Sequence, residues 1–367
     1  MLLTTFTQTM LVLGRILLAF VILMFMIMIH ELGHFTAGKI LKFKINEFAI
    51  GMGPKLFKKT TKDGGCFSLR AIPLGGYCAF EGEDLENSLN PAAFNNQKAW
   101  KRIIVLISGA AFNFISAILI SMIAFSCFSD TVLSVQKPFA DSPNYAAFGT
   151  QEGFCEGDIL YSINGHKLYL IQDISTYIEK ADNTIPVIVL RKDANGEFKK
   201  VNLTVYKGKY TYEYKDEFNQ TLTATKTGLG IQNAYIAHKY TFGQAIGRSV
   251  PYCFRAGSYI LETLGGIFTG KVDIRDMGGP FTTIDITTKV ISTGIANTLF
   301  LIVLISVNLA VFNLLPLPAL DGSRVVFCMI ELIFKKPVNR KVEAIVHTVG
   351  LVVLFALMLI LDAVRYL

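Results

Sequence analysis

Long uncharged apolar runs alternate with polar stretches along this 367-residue chain. One run extends from Ile16 to Ile29, and others occupy about 103–129, 290–320 and 344–361. About 20 helical residues cross the hydrocarbon core of a bilayer, so each run is long enough if the first helix continues through His30–His34. The pattern predicts a polytopic α-helical membrane protein with about four transmembrane helices and both termini on the same side. Arg15 precedes the first run but no small-residue cleavage site follows it, so the run reads as a retained span rather than a signal peptide.

The polar stretches carry other periodicities. Gly51-Met52-Gly53-Pro54 and Gly64-Gly65 are turn signals, and Cys66–Phe80 alternates loosely around Pro73 and Gly75-Gly76. One or two short strands are expected there, with the proline keeping an edge free. Such a pair suits either an extended substrate held by edge pairing or a plain hairpin on the membrane surface. Between 131 and 205 the pattern predicts a mixed α/β unit: a strand at Ile159–Ile163, the hairpin turn Asn164-Gly165, a helix over Ile171–Ala181, and strands at Pro186–Arg191 and Lys200–Val205. Its size is that of a peptide-binding module. Residues 206–232 read as further strands. Residues 241–268 read as a helix kinked at Pro251, lying in the membrane interface or packed on the soluble unit.

Charge sets the orientation. The connection after the third span carries Arg324, Lys335, Lys336, Arg340 and Lys341 against Glu331 and Glu343. The connection after the first carries Lys39, Lys42, Lys44, Lys55, Lys58, Lys59 and Lys62. The positive-inside rule puts both in the cytoplasm and the long 130–289 segment outside. The net charge of +7 is mild and no basic stripe interleaves with aromatics, so nucleic acid is not an expected partner. Six scattered cysteines, with no C-x-x-C pair, make neither a disulfide framework nor a zinc knuckle.

The candidate chemistry sits at the end of the first run. In His30-Glu31-Leu32-Gly33-His34 the two histidines share one helical face and can grip a Zn²⁺, with Glu31 beside the metal-bound water. An ionisable group at membrane depth costs roughly 2.5–3.5 kcal/mol on insertion scales, which points to use. A catalytic zinc needs a third protein ligand. His166 and His238 lie outside the membrane, while His347, Glu331 and Asp321 remain at reachable depth. Asp321 is the strongest candidate: Pro316 and Pro318 must open the third span just before it, and broken backbone at that depth faces protein or water. The alternative is an aspartate capping a helix that starts near Gly322. Asn308 and Asn313 either bind a substrate backbone or bridge helices.

These segments resemble the site-2 proteases, in particular bacterial intramembrane proteases of the sigma-factor pathway. The resemblance rests on H-E-L-G-H, F-A-I-G-M-G-P (48–54), I-P-L-G-G-Y (72–77), E-G-E-D (81–84), S-G-A-A-F-N-F (108–114) and N-L-A-V-F-N-L-L-P-L-P-A-L-D-G (308–322), and covers nearly the whole chain. It implies zinc held by His30, His34 and Asp321, with Glu31 as catalytic base. It implies that Asn308 and Asn313 contact the substrate helix, and that the strands over 66–80 form a membrane-associated β-hairpin that clamps the substrate in extended form, with Leu69, Arg70, Ala71 and Ile72 as substrate-binding residues. The external unit is similar to a single PDZ domain, although Y-A-A-F-G-T-Q-E before Gly153 departs from the usual pattern.

The expected organisation is 1–38, first span with the zinc motif; 39–102, cytoplasmic-side loop with strands; 103–129, second span; 130–205, PDZ-like domain; 206–289, β extension and amphipathic helix; 290–322, third span; 323–343, cytoplasmic loop; 344–364, fourth span. The implied function is cleavage of single-span membrane proteins, such as anti-sigma factors or signal-peptide remnants, within the lipid of the inner membrane and towards its cytoplasmic side. A surface-cutting membrane-anchored zincin and a catalytically silent PDZ scaffold are the alternatives.

Overall fold

The computed structural model describes residues 2–61, 64–83, 89–215, 219–273 and 278–366. Asp84 of the 81–84 motif and Lys62 of the first basic connection lie outside the described residues. The chain divides into two compact units, residues 1–122 with 256–367, and residues 123–255.

In chain order the elements are α1 (Leu2–Ile40), β1 (Ile45–Thr60), β2 (Cys66–Phe80), α2 (Ala99–Cys127), β3 (Asp130–Pro138), β4 (Ile159–Ile163), β5 (His166–Lys167), α3 (Gln172–Lys180), β6 (Thr184–Lys192), β7 (Phe198–Tyr206), β8 (Gly208–Lys215), β9 (Thr221–Gly228), β10 (Ile231–His238), α4 (Phe242–Phe268), α5 (Pro280–Ile291), α6 (Ile295–Leu314), α7 (Asp321–Phe334) and α8 (Arg340–Tyr366). Among the described residues four helices are long and apolar enough to cross a membrane: Thr9–Ile40, Ala99–Cys127, Ile295–Leu314 and Arg340–Arg365. A helix satisfies its backbone polar groups internally, as lipid demands.

In the first unit, α1 and α2 approach through glycine. A Cβ on Gly33 would lie 2.3 Å from the Ser108 carbonyl oxygen, and one on Gly109 would lie 2.6 Å from the rings of both His30 and His34. Small residues let backbones close in this way without a hydrophobic drive between helices. The third apolar run breaks where its prolines require: α6 ends at Leu314, and α7 starts only at Asp321. Between them Ala319 takes a φ of 75°, in the left-handed region that L-residues seldom adopt. A Cβ on Gly322 would sit 2.2 Å from the Leu315 carbonyl oxygen, so only glycine allows α7 to begin this close to the end of α6. The loop is held from outside as well, since Gly350 of α8 lies against Pro318.

The threonine-rich segment 280–291 gave no span signal, yet it folds as α5 and packs against α1, α6 and α8. Its start is capped from α8. Asp362 accepts hydrogen bonds from the N–H groups of Gly279 (2.8 Å), Phe281 (3.0 Å) and Thr282 (3.1 Å) and from the Thr282 hydroxyl (2.7 Å). The three N–H groups are orphan donors of a helix N-terminus, satisfied by one carboxylate.

The expected short strands are longer and folded over. Gly51 and Gly53, both at φ 82°, do not end β1 but bend it. Residues 47–50 pair on one side with 66–69 and on the other with 76–79, while 55–60 pair with 66–70. The segment 66–69 is therefore interior to the ribbon, and 76–80 forms a margin. Beneath it Phe43, Phe80 and Phe94 pack together with Val105 and Leu106 of α2. Glu47 is the ribbon's polar fastening, bonded by the Ser68 hydroxyl, Lys55 (3.1 Å) and Arg70 (2.9 Å). Burial pushes its carboxyl up, but these donors override that and hold it at about 2.

The second unit is built on one antiparallel sheet in the order β10-β3-β4-β6-β7, with β5 against β4. Val135, Phe154, Ile163, Ile185, Val187 and Val189 form its core. The sheet is not closed at residue 205: β10 runs along β3 from Ile231 opposite Pro138 to His238 opposite Asp130. Asp173 of α3, fully buried, accepts bonds from the N–H groups of Tyr169 and Leu170 (both 2.9 Å) and from Arg255 (2.6 Å). Strands β8 and β9 form a separate hairpin.

Two outcomes follow. Gly33→Ala destabilises the fold by about 1–3 kcal/mol, the cost of overpacking, and so lowers the apparent melting temperature in detergent, whereas Gly14→Ala, with nothing within 4 Å, does not lower it. Because the folded Glu47 carboxyl lies near 2, below an ordinary value of about 4.3, its bonds stabilise the fold fully above that ordinary value and are lost as pH falls towards 2. Thermal melts between about pH 4.5 and 2.5 will show a smaller acid-induced decline for Glu47→Gln than for the unmodified chain.

Candidate metal and catalytic centre

The helix spacing of α1 puts His30 and His34 on the face that meets α2, where both are buried. The broken end of the third run brings Asp321 to them. His30 Nε2 lies 2.9 Å from Asp321 Oδ2, His34 Nε2 lies 3.3 Å from the same oxygen, and the two Nε2 atoms are 3.0 Å apart. Among the described residues these three side chains are the group of histidine, cysteine or carboxylate residues placed to hold a metal ion. Ligands in a tetrahedron with bonds of about 2.0–2.1 Å to zinc stand roughly 3.3–3.4 Å apart. One side of the triangle has that length and the other two are a few tenths of an ångström shorter, so a small spreading of the side chains would fit an ion, with a fourth position left open. His34 Nδ1 donates to the Val105 carbonyl at 2.8 Å, which turns Nε2 towards the site. His30 Nδ1 is buried with no hydrogen-bond partner.

Asp321 is the first residue of α7, and Leu320 occupies the N-cap position of that helix. The negative charge of Asp321 lies at a helix N-terminus, where the peptide dipoles favour it. Glu31 faces the ribbon, and its Oε2 accepts the Cys78 N–H at 2.9 Å.

A cavity of about 350 Å³ opens on this group, lined among others by Tyr77, Cys78, Asn113, Asn313 and Arg324. Asn313 reaches it and also donates to the Leu309 carbonyl at 3.0 Å. Asn308 lies on an exposed face of α6 and is not part of the lining. Nor are Leu69, Arg70, Ala71 and Ile72. Leu69 is flanked by Ile50 and Phe57, and Arg70 is bonded to Glu47 and to the Gly53 carbonyl (2.7 Å). The ribbon presents Tyr77, Cys78 and Phe80 to the cavity instead, and only its pairing tells margin from interior.

Asn113 and Cys78 are the site residues that sequence reasoning passed over. Asn113 had a signal: Gly109 and Asn113 are four apart, so the amide sits one turn along the α2 face that touches the histidines. The other candidate ligands are engaged elsewhere. Glu331 pairs with buried Arg102 at 2.5 Å, and His347 is 3.5 Å from the Ser323 hydroxyl. In the second unit His166 stacks on Tyr177 and His238 meets Phe198.

Comparison with known proteins gives the geometry a family. The model of peptidase family M50 matches residues 18–357. A protein of Fusobacterium nucleatum named a zinc metalloprotease is 31% identical over 356 residues, covering 94% of this chain and 96% of its own. One of Clostridium acetobutylicum with the same naming is 32% identical over 336 residues, covering 91% and 92%. A third, of Campylobacter jejuni, is 28% identical over 345 residues, covering 92% and 89%. With helices suited to a bilayer and a match along nearly its full length, the chain belongs to peptidase family M50, the site-2 proteases, and is a zinc metalloprotease of the membrane.

Proposed function

We propose that this protein hydrolyses a peptide bond within the transmembrane segment of single-span membrane proteins. The observation that carries this is the convergence of His30, His34 and Asp321 on helices and a helix break of spanning depth. His30, His34 and Asp321 are the proposed zinc ligands. Bound zinc supplies an acidified water and polarises the carbonyl it faces. Glu31 takes the proton of the attacking water and returns it to the leaving amine. The bond from Cys78 orients its carboxylate for both transfers. Asn313 and the margin 77–80 hold the substrate in extended form, which exposes carbonyls that a helix keeps in its own bonds.

Charge supports the sidedness: the basic connections 39–102 and 323–343 face the cytoplasm, in the bacterial inner membrane, and 130–289 lies outside. The second unit serves as a PDZ-like peptide-binding module. β3 is paired along its length with β10 and meets β4 at Ser134, and its residues 130–133 line a groove with Leu170, Ile171 and Ile174 at the start of α3, a place for a peptide. Such a module restricts entry to substrates already trimmed outside, including anti-sigma factors and signal-peptide remnants.

Cleavage of a labelled single-span substrate in liposomes tests the reading. Glu31→Gln lowers the rate at least 10²-fold, the usual share of a general base, and leaves zinc content intact. Undiminished cleavage would refute it. Asp321→Ala loses zinc by metal analysis, whereas Glu331→Gln keeps it; the reverse result would favour a surface-cutting zincin whose third ligand is a downstream glutamate.

A further inference from the structure

Asn113 is fully buried in α2, and both atoms of its side-chain amide are without a hydrogen-bond partner. Its main chain is the opposite. The Asn113 carbonyl accepts the hydroxyls of Ser116 and Ser306, both at 2.8 Å, so α2 and α6 clamp the residue in place. A buried amide left unpaired is costly, and native structures seldom keep one without a use. This amide lines the catalytic cavity.

Its place along the helix gives the use. Gly109, one turn away, abuts the imidazoles of His30 and His34. Side chains four apart on a helix stand about 5–6 Å from one another. An extended peptide advances about 3.3 Å per residue. A strand lying across the metal centre thus passes Asn113 within about two residues of the bond being cut. Every peptide group freed from a substrate helix needs a new partner inside the cavity. Two neighbouring groups are partly committed: one hydrogen of the Asn313 side-chain amide bonds Leu309, and the Cys78 N–H bonds Glu31. The Asn113 amide holds one donor side and one acceptor side in reserve, the pair that a peptide main chain offers in complement.

We propose that Asn113 is a substrate-binding residue, whose side-chain amide pairs with a main-chain peptide group of the substrate within two residues of the scissile bond. This rests on the intramembrane-protease reading, and the experiment separates the two. Full-length Glu31→Gln protein in bicelles is titrated with a fluorescent single-span peptide, with and without Asn113→Leu, which keeps the shape of the side chain and removes its polarity. Zinc content and melting temperature are measured on the same samples. The expected result is about 10- to 100-fold weaker binding on loss of two neutral hydrogen bonds, with zinc retained and a melting temperature equal or higher. In the Glu31-containing protein the same substitution lowers kcat/KM by a similar factor. Equal binding would overturn the proposal, and so would weaker binding accompanied by lost zinc or a lower melting temperature. If Asn113→Leu does not fold, Asn113→Ala carries the same readouts. Should the unmodified enzyme bind the peptide but not cut it, the protease reading falls while the binding ratio still decides Asn113. Should no peptide bind at all, both fall.

Discussion

Everything in the first unit answers to one constraint: three polar side chains must meet where there is little water to satisfy them. Each would be expensive alone at that depth. Together they lie within hydrogen-bond range of one another and form a group that could hold a metal ion. The meeting is possible because glycine at positions 33 and 109 removes the volume that would hold α1 and α2 apart. It is completed by a chain break that delivers a carboxylate from 291 positions away. The close helix contact, the two prolines, the left-handed Ala319 and the obligatory Gly322 are all means to that convergence.

The family's zinc is thus supported by local chemistry as well as by kinship. The triangle of candidate ligands is close to tetrahedral dimensions, one histidine is oriented by a backbone carbonyl, and the remaining side faces a cavity. The same cavity joins groups from α1, α2, α6, α7 and β2. No single segment owns the site, which is why the helices around it bear polar residues that would be out of place on a lipid-facing surface.

Much of this was legible in residue order. Apolar runs announce spanning helices because length and hydropathy decide them locally. His30, Glu31 and His34 were readable from helical spacing, and Asp321 from the prolines that forbid a regular helix before it. What stayed hidden was non-local. The folding of β1 between two parts of β2 puts Leu69 inside and Cys78 at the margin, and nothing in either strand's own pattern says so. Strand β10 joins its sheet across nearly a hundred residues. Helix α5 is short and threonine-rich, and its start depends on Asp362 from another helix. Asn308 and Asn313 look equivalent as letters, but five residues is well over one turn, so only one reaches the cavity. Asn113 carries no role in the residue order because unpaired burial is visible only in three dimensions.

The bond between Glu31 and the Cys78 amide ties two structural systems together. The carboxylate rides on a helix embedded in lipid, while its restraint belongs to a ribbon whose own order depends on Glu47, Arg70 and two bent glycines. Under the proposed role of Glu31, proton transfer at the centre is registered against the position of the ribbon. Sequence changes far out on that ribbon, touching neither metal nor substrate, will surface as altered turnover. A survey of neutral variation in such proteins should find the ribbon's fastening residues drifting in concert rather than singly.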